Sequence, residues 1–167
     1  MKDNKFVIAV YADNQYGVLT RVTSMFTRRG FNIDALTVGE TEDPAYSRIT
    51  ISLSGDGYAR EQLINQMKKL YNVKKVEVLE DSTCIKRELM LIKIYNKPEN
   101  RSDIHFAVDT YRAKVVDYTT DGMCIEVTGD SMKIDAFVEL MKPFGIIEIC
   151  RTGIVALERG NTSLLTK

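Results

Sequence analysis

Two hydrophobic periods alternate along this chain, and they do so twice in the same order. Lys5 to Asp13 is almost unbroken apolar sequence, Phe6-Val7-Ile8-Ala9-Val10-Tyr11-Ala12, short and rich in β-branched and aromatic residues. Such a run reads as a strand buried on both faces. From Gly17 to Arg29 the apolar residues Val18, Leu19, Val22, Met25 and Phe26 return at helical spacing. Arg28, Arg29 and Gly30 suit a helix C-terminus: cations at the negative dipole end, then a residue free to turn left-handed. Phe31 to Thr41 reads as a second strand, Glu42-Asp43-Pro44-Ala45 as a turn, and Ser47 to Ser54 as a third strand, with Ile49, Ile51 and Leu53 on one side. After Gly55-Asp56-Gly57, the residues Leu63, Ile64, Met67, Leu70 and Tyr71 mark a second helix, and Val73 to Leu79 a fourth strand.

The order then repeats. Glu88 to Tyr95 is a strand, and Ser102 or Asp103 can cap a helix with Ile104, Ala107, Val108 and Tyr111 inward. Lys114 to Thr119 and Met123 to Thr128 flank Asp121-Gly122, a hairpin signal. Asp130 or Ser131 caps a helix with Ile134, Phe137, Val138 and Met141 inward, closed by Pro143 and Gly145. Ile146 to Leu157 gives a last strand broken near Gly153, and the polar tail from Gly160 reads as loose.

Strands and helices in the order βαββαβ, twice, predict an α+β protein of two ferredoxin-like units, each an antiparallel sheet with two helices on one face. The repeat is one of architecture, with no obvious repeat of sequence. We place the domains at 1–80 and 81–167, with Glu80 to Lys86 as linker. A unit of about 80 residues buries only about 60% of its unfolded surface. Its helix-free sheet face and edge strands need covering, and pairing with a second copy would supply that.

Composition narrows the function. Hydrophobic residues make up 44% of the chain, and 23 basic residues balance 23 acidic ones. Zero net charge argues against a dedicated nucleic-acid or anionic-membrane surface, since both need a positive excess. Cys84, Cys124 and Cys150 are far apart and odd in number, which fits neither a disulfide framework nor, with His105 as the single histidine, a zinc site. No apolar run approaches the roughly 20 residues that cross a bilayer. Met1-Lys2-Asp3-Asn4-Lys5 leads into a strand rather than a signal peptide, so the cytoplasm is the expected compartment.

Catalytic patterns do not emerge. His105 has no triad spacing around it and reads as a surface residue. There is no nucleophile elbow or Walker loop, and Gly55-Asp56-Gly57 lacks the third glycine of a dinucleotide fingerprint. Glu40, Glu42 and Asp43 read as a solvated turn, and Cys84 has no clear activating neighbour. What remains is Asn14-Gln15-Tyr16-Gly17-Val18-Leu19, where polar turn residues open onto a helix N-terminus. Unpaired N–H groups and the positive dipole end suit a carboxylate. Gly17 permits close approach, Asn14 offers donor and acceptor, and Asn32 could reach the space from the same or a neighbouring subunit. Val18, Leu19 and Ile33 could form an apolar wall. The mix suits a free amino acid, yet a plain helix cap and turn use the same groups, and both readings stand at this point.

These residues resemble the ACT domain, a small regulatory fold that commonly binds amino acids. The series Asn14-x-x-Gly17-Val18-Leu19-x-Arg21-Val22, Arg29-Gly30-Phe31-Asn32-Ile33, Val38-Gly39-x-Thr41-Glu42-Asp43-Pro44 and Ser47-Arg48 is similar to the small regulatory subunit of acetolactate synthase. Lys86-Arg87-Glu88-Leu89-Met90-Leu91-Ile92-Lys93, Arg112-Ala113-Lys114-Val115-Val116-Asp117, Lys133-Ile134-Asp135-Ala136-Phe137 and Arg151-Thr152-Gly153 extend the similarity. The resemblance implies a non-catalytic chain that binds a large subunit using thiamine diphosphate, magnesium and FAD. It implies activation of that subunit and feedback inhibition by a branched-chain amino acid, typically valine. It implies ACT pairing between two copies, with effector contacts at Asn14, Gln15, Tyr16, Gly17, Val18, Leu19, Asn32 and Ile33. Tyr16 is bulkier than the small residue or proline often found there. Arg28, Arg29 and Arg48 are candidates for touching the large subunit.

Overall fold

A computed structural model of the chain describes residues 4–165. The leader reading at Met1, Lys2 and Asp3 and the last two positions of the tail, Thr166 and Lys167, lie outside the described residues. Two compact units emerge: one of Met1–Lys86 with Ile154–Lys167, the other of Arg87–Gly153.

The first unit runs β1 (Asn4–Asp13), α1 (Val18–Arg28), β2 (Ile33–Glu40), β3 (Tyr46–Gly55), α2 (Gly57–Met67) and β4 (Val73–Val78). Its sheet order is β2-β3-β1-β4, all antiparallel. The unbroken apolar run of β1 has a direct cause. Phe6, Ile8, Val10 and Ala12 face a core shared with Val18, Val22 and Phe26 of α1 and Leu63 and Met67 of α2. Val7, Ala9 and Tyr11 face the other way and are equally buried.

What covers that second face is the chain's own C-terminal segment. Leu79, Cys84, Ala156 and Leu164 pack on Val7, Ala9 and Tyr11, and Arg48 Nη2 donates to Ala156 O at 2.8 Å. A second copy is therefore not needed there. The segment includes β9 (Val155–Glu158), which pairs with β5 (Cys84–Tyr95). The tail is thus not uniformly loose, because Leu164 is buried. The boundary differs from 1–80 and 81–167 for the same reason: 154–167 packs with the first unit. Within the expected linker, Cys84 N donates to Glu80 O and the chain is already in β5 at Cys84, whose side chain is buried.

The second unit continues β5, then α3 (Arg101–Thr110), β6 (Lys114–Tyr118), β7 (Gly122–Gly129), α4 (Ser131–Met141) and β8 (Ile146–Arg151). Its sheet order, β6-β7-β5-β8, reproduces that of the first. Met90, Ile92 and Ile94 face the helices, while Leu91, Lys93 and Tyr95 are exposed. Asp130 caps α4, accepting from Lys133 N at 2.8 Å. At α3 neither Ser102 nor Asp103 caps. A single 3-10 turn at Pro98–Asn100 leads in, and Asn100 holds the cap position without a side-chain bond. The two ferredoxin-like units read from the sequence are both present. No helix among the described residues is long and apolar enough to cross a membrane.

Candidate functional site

The junction between β1 and α1 is held in place from behind and open in front. Asp13 N donates to Asn72 O at 2.9 Å, Asn72 Nδ2 to Asp13 Oδ2 at 3.2 Å, and Arg21 Nη1 to Asn72 Oδ1 at 3.0 Å. Lys74 completes the group at 3.0 Å from Asp13 Oδ1, and that hydrogen bond raises its ammonium above the ordinary value. These contacts tie the first turns of α1 to the end of β1 and β4.

Asn14 does not cap the helix. Its backbone N–H donates to Ala45 O at 2.7 Å, and its side-chain amide donates to Pro44 O at 3.0 Å and Glu40 Oε1 at 3.2 Å. Both donors are engaged by the β2–β3 turn, and Oδ1 accepts nothing among the described residues. The cap position belongs to Gly17, at φ 79° with no side-chain bond. A Cβ there would meet no atom within 4 Å, so the left-handed backbone, not crowding, selects glycine. Val18 N reaches back to Gln15 O at 3.3 Å, and Arg21 N closes the first helical bond to Gly17 O at 3.0 Å. Among the described residues, Leu19 and Thr20 N–H have no hydrogen-bond partner, and no acidic side chain stands in the first turn. The positive end of α1 faces solvent bare.

The predicted residues divide into three groups. Asn14, Gln15, Tyr16, Gly17 and Leu19 form one exposed strip, with Tyr16 fully in solvent. Val18 turns into the core, 7% exposed, so its side chain is no part of a wall. Asn32 and Ile33 are elsewhere in the same chain. Asp13 pairs with Tyr46 at one end of β3, whereas Ile33 pairs with Leu53, seven residues further along. At about 3.4 Å per residue that is about 24 Å. Asn14 and Asn32 of one chain stand at opposite ends of the sheet, so the same-subunit alternative fails.

Sequence reasoning missed Glu40, taken as a solvated turn residue, which instead holds Asn14. It also missed the Asp13–Asn72–Arg21 bracing; the only signal was the place of Arg21 in the motif that carries the resemblance. Arg48, a candidate for outward contact, is partly buried, which depresses its guanidinium pKa, and is engaged by Ala156. His105 is exposed and stacks on Tyr118 at 6.3 Å. Among the described residues no cluster of His, Cys, Asp or Glu could hold a metal.

Comparison with known proteins identifies the family. Residues 8–75 match the model of the AHAS small subunit-like ACT domain, and residues 87–160 that of the small subunit of acetolactate synthase. The chain is 44% identical over 165 residues to a probable acetolactate synthase small subunit of Methanothermobacter thermautotrophicus, covering 98% of each. It is 43% identical to the acetolactate synthase small subunit of Bacillus subtilis, covering 93% of this chain and 91% of that one. The crystal structure of the Thermotoga maritima small subunit superposes with a TM-score of 0.87 at 37% identity, covering 95% of this chain and 99% of that one. An ACT module with a regulatory role and a large catalytic partner follow from that kinship, and the chain belongs to the acetolactate synthase small-subunit family.

Proposed function

We propose that this chain activates the catalytic subunit of acetolactate synthase and confers feedback inhibition by a branched-chain amino acid, valine first among them, in the cytoplasm. The condensation of 2-keto acids resides in the large subunit, whose thiamine diphosphate, magnesium and FAD supply the chemistry. The first unit is the effector-binding and dimerisation module.

The observation that carries this reading is the separation of Asn14 from Asn32. β2 is an edge strand with one side unpaired. If two copies pair antiparallel along β2, the Ile33 end of one strand lies beside the Glu40 end of the other. Asn32 of the second copy then approaches the Asn14 held by Glu40. An effector carboxylate meets the unpaired Leu19 and Thr20 N–H groups at the positive helix end. Its ammonium meets Asn14 Oδ1 and the Asn32 amide oxygen of the second copy. Leu19, exposed beside Gly17, offers apolar contact for the side chain.

Such a ligand contacts two copies at once and so favours one arrangement of the pair. A coupling of about 1–3 kcal/mol between effector and catalytic partner gives roughly 5- to 150-fold effects, reciprocal in the two binding affinities. Calorimetric titration of valine into wild type and Asn14→Ala tests the site. Loss of heat in the variant is the expected result, and equal affinity in both overturns the assignment.

A further inference from the structure

The chain is neutral, but its cations are not evenly spread. The helical segments of the first unit, residues 17–30 and 57–71, hold Arg21, Arg28, Arg29, Arg60, Lys68 and Lys69 against a single acid, Glu61. The corresponding segments of the second unit, 101–112 and 131–145, hold four cations and four acids. Arg60 lies 3.9 Å from Glu80, and Arg21 uses one nitrogen on Asn72. Arg28 and Arg29 are exposed and form no ion pair among the described residues.

Three of these arginines surround a groove. A depression of about 530 Å³ runs along the outer flank of α1 to the end of α2, lined by Arg21, Arg28, Arg29, Met25 and Leu70, with Gly17, Thr20, Ser24 and Gln66 completing it. No acidic residue lines it. Met25 and Leu70 are half-buried against the core, so the floor is apolar and fixed. Arg21 and Arg28, seven residues apart, lie on the same side of the helix about 10 Å from one another. The arrangement is a row of cations along α1, with the apolar Met25 between Arg21 and Arg28 in the chain, rather than a cluster about one point. It matches a stretch of chain carrying several acidic side chains around an apolar one.

We infer that this groove is the docking surface for an acidic segment of the catalytic subunit, an inference that rests on the partnership proposed above. Charge complementarity supplies steering and register. The placement gives α1 two roles. Its first turn meets the effector, and the flank of the same helix meets the enzyme, so a small shift of α1 is felt at both.

The test titrates the catalytic subunit with full-length wild type, Arg28→Glu/Arg29→Glu, the milder Arg28→Gln/Arg29→Gln, and Lys97→Glu, an exposed charge of the second unit. Association is read directly by calorimetry, and acetolactate formation in parallel. The glutamate pair should weaken association at least tenfold and the glutamine pair by less, with Lys97→Glu unchanged and valine binding retained in all. Wild-type association should also weaken as ionic strength rises from about 0.01 to about 1 M, over which the screening length falls from about 30 to about 3 Å. Unchanged association of the arginine variants overturns the groove while leaving the regulatory reading intact. So does filling of the groove by inorganic pyrophosphate with no effect on subunit association, which marks a small-anion site. Wild type that neither associates nor stimulates overturns both.

Discussion

The two βαββαβ units share strand order, helix placement and one local device, yet they finish that device in opposite ways. The residue after the first strand is asparagine in both, Asn14 and Asn96. Each backbone N–H donates to a carbonyl of the facing hairpin turn, Ala45 O at 2.7 Å and Asp121 O at 3.0 Å. Each side-chain amide donates to a second carbonyl there, Pro44 O at 3.0 Å and Thr119 O at 2.6 Å. In the second unit Asn96 is 1% exposed, and Arg101 Nε closes its oxygen at 3.0 Å. In the first unit Asn14 is exposed, its oxygen is open, and Gly17 leaves the helix end bare. One scaffold seals the junction, and the other leaves the same junction open, which is what the proposed effector site requires. Similar topology therefore does not by itself mark a binding place; the two units differ in which polar groups are left unsatisfied.

The largest effect expected of a single change lies in the sealed unit. Glu88 is buried, and Arg151 meets it through Nε at 2.6 Å and Nη2 at 2.8 Å while Nη1 reaches Asp135 at 2.8 Å. Arg151→Ala strands the Glu88 carboxylate and should cost about 3 kcal/mol. Thermal denaturation checks it, at roughly 2–4 °C per kcal/mol for a chain of this size. Hydrogen bonding to Glu88 holds the Arg151 pKa above its ordinary value. A raised pKa contributes stability that is fully present below the ordinary arginine range and is lost only above it. The wild type should therefore keep this contribution across neutral and mildly alkaline pH, and its loss there would count against the pairing.

Next comes the segment covering the first sheet. Leu164→Ala should cost about 2 kcal/mol, since it vacates a buried site on Val7, Ala9 and Tyr11. Hydrogen exchange should then rise at β1, and an unchanged pattern would place the segment elsewhere in solution.

The paired asparagines sharpen the comparison most. Asn96→Ala removes a buried amide and takes from Thr119 O and the Arg101 donor the partner they share, and should cost about 1–2 kcal/mol. Asn14→Ala, at an exposed place, should cost well under about 1 kcal/mol by the same measurement. If both variants melt alike, the distinction between sealed and open junctions is wrong. Smallest of all is Tyr16→Ala. The ring is fully exposed and touches nothing in its own unit, so denaturation midpoints should match wild type within about 0.5 kcal/mol. A change in valine affinity without one in stability would place Tyr16 at the edge of the effector.

Much of the fold was legible because periodicity is a local property. The apolar run at β1, the alternation at β3 and the helical spacing at α1 and α4 each reflect a face that must be buried, and each element appears within a few residues of its expected place. The misreadings have a common cause. Cys84 and Lys86 look like linker because their neighbours are charged, yet β5 begins there since Cys84 has a core to enter. Leu164 looks like part of a polar tail, but a buried sheet face was waiting for it. Ser102 looked like a cap, and Pro98 set the helix entry instead.

The candidate site could be proposed from the sequence as a list of residues but not as a place. From the chain itself follow the doubled ferredoxin-like plan, the absence of a catalytic pattern and the strip Asn14 to Leu19 at a helix start, because strand and helix periods, turn chemistry and charge are written in neighbouring residues. Tertiary structure alone decided that Val18 faces inward, that Glu40 holds Asn14, and that Asn32 sits about 24 Å away at the other end of β3. Those facts depend on strand register and on contacts between residues dozens of positions apart, which no local pattern encodes.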